Sequence, residues 1–424
     1  MPRPFSLTAY ALAARALTPL VPGLLARRAA HGKEEAGRMR EKLGHAGLAR
    51  PAGALVWLHG ASVGESLSLL PVVQGLLARR PGLAVLVTSG TVASAQIMAQ
   101  RLPAGALHQY APLDAPSAAR RFMDHWRPDL AVFVESELWP NLLAQARRSG
   151  ARLALISARL SEASLRGWRR FPGAARAVLG GFDLVMSQDE ACASRLAALG
   201  ARDDGRLNLK LAGEALPVDA SEQQNLQAAL ADRPLLLAAS THPGEDELVL
   251  EAFAQLQTDA LLVIAPRHPV RGADVRALSV ARGLNTALRS AGEAVTPKVQ
   301  VLVADTLGEL GLWFALARTA LVAGSLVPKI GGHNPLEPAR QSCPVLTGPH
   351  IDNWTSVYAA LAAVDGYRTV QDAGELSAAL AEALADPAQG RAMADRALGV
   401  VQDQGGALDA ALDRLIALVG EGAR

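Results

Sequence analysis

The feature that most constrains this chain is a recurring pattern. Short apolar, β-branched runs are separated by Ala/Leu/Arg-rich segments of helical character. In the first half the runs start near Ala54 (ALVWLHG), Ala84 (AVLVTS), Ala106 (ALHQYAP), Asp129 (DLAVFVES), Ala151 (ARLALIS) and Phe182 (FDLVMSQ). The second half repeats the pattern at Pro234 (PLLLAAS), Ala260 (ALLVIAP), Val299 (VQVLVAD), Thr319 (TALVAGS) and Pro344 (PVLTGP). Strands apolar on both faces and alternating with helices build parallel sheets covered on both sides. The expected fold class is therefore α/β, with two doubly wound, Rossmann-like parallel-sheet domains facing each other across a cleft. A length of 424 residues suits two such domains. The polar stretch 203–233 reads as the hinge region. The expected limits are 1–30 for an N-terminal amphipathic segment, 31–210 for the first domain and 211–395 for the second. Residues 396–424 read as a C-terminal helix able to cross back to the first domain.

Charge and cysteine content narrow the function. Basic and acidic residues nearly balance, 42 against 40, which excludes a strongly basic nucleic-acid binder. Two cysteines, Cys192 and Cys343, are too few for a disulfide framework or a zinc ribbon. The N-terminal stretch from Phe5 to Arg28 is apolar but carries Arg15, Pro19 and Pro22, and the prolines are expected to break a continuous helix. That makes it a poor membrane span and suits a helix lying on a membrane surface. Residues 1–50 hold nine Lys/Arg and three Asp/Glu, an excess that favours anionic lipid.

In open parallel sheets, ligands bind beyond the carboxyl ends of the strands, so the residues that follow each run carry the chemistry. His59-Gly60-Ala61-Ser62-Val63-Gly64-Glu65-Ser66 follows the first. It lacks GxGxxG and a following GK[ST], which argues against a dinucleotide fingerprint or a P-loop. Glu65 falls at a helix start, where it is either a carboxylate favoured by the helix dipole or a general base. Glu135 and Glu137 flank one residue after the fourth run and point to opposite faces if the strand continues. In the second half come His242, then Pro266-Arg267-His268, Gly308-Glu309-Leu310, and Gly331-Gly332-His333-Asn334-Pro335-Leu336-Glu337. The last run joins backbone amides opened by glycine, a helix start at Asn-Pro and an acid, Glu337, able to hold ribose hydroxyls. This is a pattern for a nucleotide-sugar donor, to whose phosphate Arg267 and His268 would add charge. The histidines show no HxxxH or HxH spacing and no cysteine partner, so a zinc site is not expected. Only five lysines stand among the 42 basic residues: Lys33, Lys42, Lys210, Lys298 and Lys329. A retained lysine hints at a need for a compact point charge, and Lys210 at the domain junction is the best case.

Together these runs resemble the 3-deoxy-D-manno-octulosonic acid (Kdo) transferases of lipid A biosynthesis. The matching segments include GKEEAGRMREKLG (32–44), HGASVGES (59–66), YAPLDAP (110–116), ESELWPN (135–141), SARLSEASLRGW (157–168), NLK (208–210), ASTHPGEDE (239–247), PRHP (266–269), DTLGELG (305–311) and GGHNPLEPA (331–339). The resemblance implies a GT-B fold and inverting, metal-independent transfer, without a cofactor, from CMP-Kdo. It implies as acceptor the glucosamine disaccharide of a tetraacyl lipid A precursor, at the cytoplasmic face of the inner membrane. It assigns Glu65 as the general base, and Glu135 and Lys210 as groups that stabilise the transition state. It assigns Pro266, Arg267, His268, Gly308, Glu309, Leu310, Asn334, Pro335, Leu336 and Glu337 to the donor.

Three departures from the family pattern stand out. Thr88-Ser89-Gly90 replaces a threonine-rich ending, the approach Val327-Pro328-Lys329-Ile330 is longer by a residue, and Leu211-Ala212 follows Lys210 in place of Phe-Asp. The alternative function is a nucleotide-sugar 2-epimerase of similar two-domain fold. It gives no reason for the HGASVGES loop or for a basic, apolar N-terminal segment.

Overall fold

The computed structural model describes residues 4–213 and 215–420. The chain divides into two compact units, Met1–Gly213 with Gln404–Arg424, and Glu214–Asp403. The first division falls at Gly213, just beyond the expected Lys210. The C-terminal helix starts earlier than residue 396, running Pro387–Gly420 over 34 residues. Of the expected terminal segments, residues 1–3 and 421–424 lie outside the described residues.

The first unit carries a six-stranded parallel sheet, order β3-β2-β1-β4-β5-β6. Its strands are β1 (Leu55–His59), β2 (Ala84–Ser89), β3 (Ala106–Tyr110), β4 (Leu130–Val134), β5 (Arg152–Ala158) and β6 (Leu184–Ser187). Alternate residues serve two cores. Leu55 and Trp57 pack on one face with Phe122, Trp126 and Phe133, while Val56 and Leu58 pack on the other with Leu69, Val72 and Leu76. The second core is completed by Ala411, Leu412, Leu415 and Val419 from the C-terminal helix. Helix Val63–Arg79 meets that helix closely, since a Cβ on Gly75 would stand 2.3 Å from Leu412. Arg79 pairs there with Asp409 and Asp413 at 2.6 and 3.0 Å.

The second unit carries a seven-stranded parallel sheet, order β13-β12-β11-β7-β8-β10-β9. Its strands are β7 (Leu235–Thr241), β8 (Leu261–Pro266), β9 (Thr286–Leu288), β10 (Val301–Val303), β11 (Thr319–Val322), β12 (Val345–Thr347) and β13 (Arg368–Thr369). The two edge strands, β9 and β13, have no counterpart among the apolar runs in the sequence. They are three and two residues long and need no two-sided apolar pattern.

The N-terminal segment corrects an expectation. Pro19 and Pro22 do not break it. Each sits in the first turn of its own segment, Thr18–Leu20 and Val21–Ala30, where a missing N–H costs no helical bond. Phe5–Ala30 therefore runs as 26 helical residues, long and apolar enough to cross a membrane. At 1.5 Å per residue this is roughly 39 Å, against about 30 Å of bilayer core. Leu12, Leu17, Leu20 and Leu24 on it are all more than half exposed.

Candidate active site

In the first unit the strand order reverses between β1 and β4, the place where doubly wound sheets hold ligands. The first turn of the helix after β1 carries Glu65, and the loop after β4 carries Glu135 and Glu137. Ser62 caps helix Val63–Arg79, accepting from Glu65 N at 3.3 Å, and Glu65 Oε2 reaches back to Ala61 N at 2.6 Å and Ser62 N at 3.4 Å. This is a capping box, so one carboxylate oxygen of Glu65 is committed to the helix start. Oε1 has no hydrogen bond among the described residues. Burial, then the nearby Glu137 and Glu135 charges, push the Glu65 pKa up against the pull of the Ala61 and Ser62 amides. The capping box fixes the group, and its surroundings raise its basicity.

Glu135 and Glu137 are not on opposite faces of a continuing strand. β4 ends at Val134 and Glu135 takes φ +50°, a left-handed conformation costly for a residue with a Cβ. Glu135, buried, pairs with Lys210 at 2.7 Å. Glu137 Oε2 lies 3.1 Å from His59 Nε2 and accepts from Trp139 Nε1 at 2.5 Å. Burial raises the Glu137 pKa, but His59 and Trp139 outweigh it and hold the group ionised below the usual range. Trp139 is thus a hydrogen-bond donor at a partly exposed position. Asn141 is buried and anchored on the Asp114 carbonyl at 2.8 Å.

In the second unit the reversal lies between β7 and β11. Glu245 after β7 is fully buried and accepts four backbone amides. Oε2 takes His242 N and Gly324 N at 3.0 and 2.7 Å; Oε1 takes Ser325 N and Leu326 N at 2.9 Å each. This carboxylate ties the loop after β7 to the loop after β11. Three histidines meet above it. His242 and His333 stack with ring centroids 5.1 Å apart and their Nε2 atoms 2.9 Å apart, and His268 stands edge-on to His242 at 6.2 Å. Burial, then the neighbouring His242, Arg267 and His268, hold His333 down at about 4. It is neutral near pH 7, so one ring's N–H donates to the other's lone pair. Gly324 must be glycine, since at φ +74° a Cβ would stand 2.8 Å from His333. Glu337 Oε1 accepts from Asn334 Nδ2 at 3.4 Å, and burial raises its pKa against Asn334, Arg340 and Arg267.

Comparisons with known proteins show the family and the fold. A family model described as 3-Deoxy-D-manno-octulosonic-acid transferase (kdotransferase) matches residues 37–212. The 3-deoxy-D-manno-octulosonic acid transferase of Bordetella pertussis is 36% identical over 431 residues, covering 96% of this chain and 98% of its own. The chain belongs to the Kdo transferase family. It is a glycosyltransferase of GT-B fold. Among solved structures, MurG of Acinetobacter baumannii aligns at TM-score 0.55 and 13% identity, over 86% of this chain and 99% of its own. UDP-GlcNAc 2-epimerase from Neisseria meningitidis aligns at 0.53 and 13%, over 86% and 100%. At such identity these two show the fold alone.

Of the residues singled out in this Kdo transferase, Glu65, Glu135 and Lys210 come to the carboxyl edge of one sheet. Arg267, His268 and Glu337 come to that of the other, close enough for Arg267 to act on the Glu337 charge. Pro335 and Leu336, between Asn334 and Glu337, are buried. The helix expected after Asn-Pro is short, Leu336–Arg340. Gly308, Glu309 and Leu310 follow β10, and the Glu309 carboxylate is taken up by Arg289 at 2.6 Å and by Thr306. Glu245 and the pairing of His59 with Glu137 escaped sequence reasoning. The GEDE and ESE runs held a signal, but only the fold shows which carboxylate is buried on amides and which meets a histidine. Among the described residues no three His, Cys, Asp or Glu side chains are placed to hold a metal ion.

Proposed function

We propose that this transferase moves Kdo from CMP-Kdo to the glucosamine disaccharide of a tetraacyl lipid A precursor in lipopolysaccharide biosynthesis. Transfer goes with inversion and without metal, at the cytoplasmic face of the inner membrane. The observation that carries the reading is Glu65. It stands in the first turn of the helix after β1, at the switch point of the first sheet, one oxygen held by Ala61 N and the other without a hydrogen bond among the described residues, with its basicity raised. Glu65 takes the acceptor hydroxyl proton, the hydroxyl oxygen bonds to the Kdo anomeric carbon, and the bond from that carbon to the CMP phosphate oxygen breaks. Lys210, held on Glu135, places a cation at the same edge to steady developing negative charge. Arg267, His268, Gly308 to Leu310 and Asn334 to Glu337 hold the CMP moiety.

The 2-epimerase shares the fold, whereas the sequence identity lies with Kdo transferases. Mass spectrometry of a tetraacylated lipid A precursor incubated with the protein and fresh CMP-Kdo tests the reading. Mass gain in Kdo units is expected with wild type and is largely lost with Glu65→Ala. No gain from intact donor and folded wild-type protein would overturn it.

A further inference from the structure

Lys42 is one of five lysines in this arginine-dominated chain, and the proposed chemistry leaves it without a role. It is buried. Its Nζ lies 2.5 Å from Glu34 Oε2, donates to Gly90 O at 2.9 Å and stands 5.2 Å from the centre of the Tyr110 ring. The other oxygen of Glu34 accepts from Arg28 Nε at 2.7 Å. Burial works against an ionised Glu34, but Lys42 and Arg28 outweigh it and hold its pKa low. A buried ion cluster is costly to assemble and strongly disruptive to break, so a structural role alone would explain it.

What Lys42 touches suggests more. Gly90 N donates to Ala61 O at 2.9 Å. Ala61 N in turn donates to Glu65 Oε2 at 2.6 Å. A Cβ on Gly90 would stand 2.9 Å from Ala61 O, so the two backbones approach as closely as glycine permits. A path of direct hydrogen bonds thus runs from the Lys42 ammonium through Gly90 and Ala61 to the Glu65 carboxylate. A lysine suits this place because a compact ammonium can serve a carboxylate and a carbonyl together in little space.

We propose that Lys42 is a positioning residue, which by holding Gly90 against Ala61 fixes the amide that aims the Glu65 carboxylate at the acceptor. The proposal rests on the reading of Glu65 as the base.

The test is steady-state kinetics of the full chain with CMP-Kdo and a tetraacyl lipid A precursor, for wild type, Lys42→Met, Gly90→Ala and Glu65→Gln. Gly90→Ala presses on the same contact while leaving the ion pairs intact, so it decides the matter even if Lys42→Met fails to fold. Misplacing the base should lower kcat by about 10- to 100-fold, with KM for the donor close to wild type. The acid limb of the kcat profile should also move to higher pH, because a weakened Ala61 amide stabilises the carboxylate less. The other groups facing Glu65 are the Ser62 amide, Glu137 with its His59, and Glu135 with its Lys210, and neither variant replaces them. Wild-type kcat in Gly90→Ala, or a loss of kcat with the acid limb unmoved, would overturn the positioning role. Wild-type turnover by Glu65→Gln would overturn the base assignment itself, and that arm reports on it separately.

Discussion

Glu65 titrates above the ordinary glutamate value of 4.5 because burial and the Glu137 charge disfavour its ionised form. On the proposed reading Glu65 is the base and must be deprotonated, so activity should fall as pH drops through that raised pKa. Glu137→Gln removes one neighbouring negative charge and should lower the Glu65 pKa. Its acid limb in kcat/KM is then expected at lower pH than wild type, which a pH–rate series reads directly. An unmoved limb would show that another group governs it. Arg267, proposed to hold the donor, is exposed on the loop after β8 and close enough to act on Glu337. Losing a charge-assisted hydrogen bond to phosphate costs about 1.5–3 kcal/mol. Arg267→Ala should therefore raise the donor KM roughly 10- to 100-fold, with kcat less affected. Titration of CMP binding by calorimetry gives an independent check.

At the scale of elements, the N-terminal helix presents Leu20 and Leu24 to solvent, at 69% and 58% exposure. Each leucine buried in lipid contributes about 1.5–3 kcal/mol. The double variant Leu20→Gln, Leu24→Gln should sharply reduce co-sedimentation with anionic vesicles. It should change the melting temperature little, since these side chains are mostly exposed. Equal sedimentation of variant and wild type would show that another surface binds lipid. The same element shows where sequence reasoning falls short. A proline reads as a helix breaker from composition, but whether it sits in a first turn depends on where the preceding turn closes. Strands were legible wherever both faces are buried, as in β1 and β8, because an uninterrupted apolar run is then required. β9 and β13 escaped because a short edge strand carries no such demand.

For the whole molecule, the two cysteines report on the two units separately. Cys192 is buried in the first and Cys343 in the second, and burial raises both thiol pKa values. Neither should react with a thiol reagent until its unit opens. If the donor nucleotide sits on the second unit, CMP at a hundred times its Kd should protect Cys343 by about 2.7 kcal/mol. Pulse labelling across a denaturant series, read by peptide mass, measures that shift. Protection of Cys192 alone would place the nucleotide on the other unit.

The sequence by itself determined the α/β class, the two repeated halves and, through its ordered motifs, the family. These follow from hydrophobic period and from residue types that a turn or a reaction requires locally. The tertiary structure alone decided which of these residues meet. Glu135 and Lys210 are separated by a long stretch of chain, and so are Lys42 and Gly90, His59 and Glu137, and Glu245 and the amides after β11. The last two pairs are made by strand order and all four by packing between distant segments, which no local pattern encodes. The same holds for Glu65, whose place at a helix start is local and whose raised basicity comes first from burial and then from carboxylates that follow another strand.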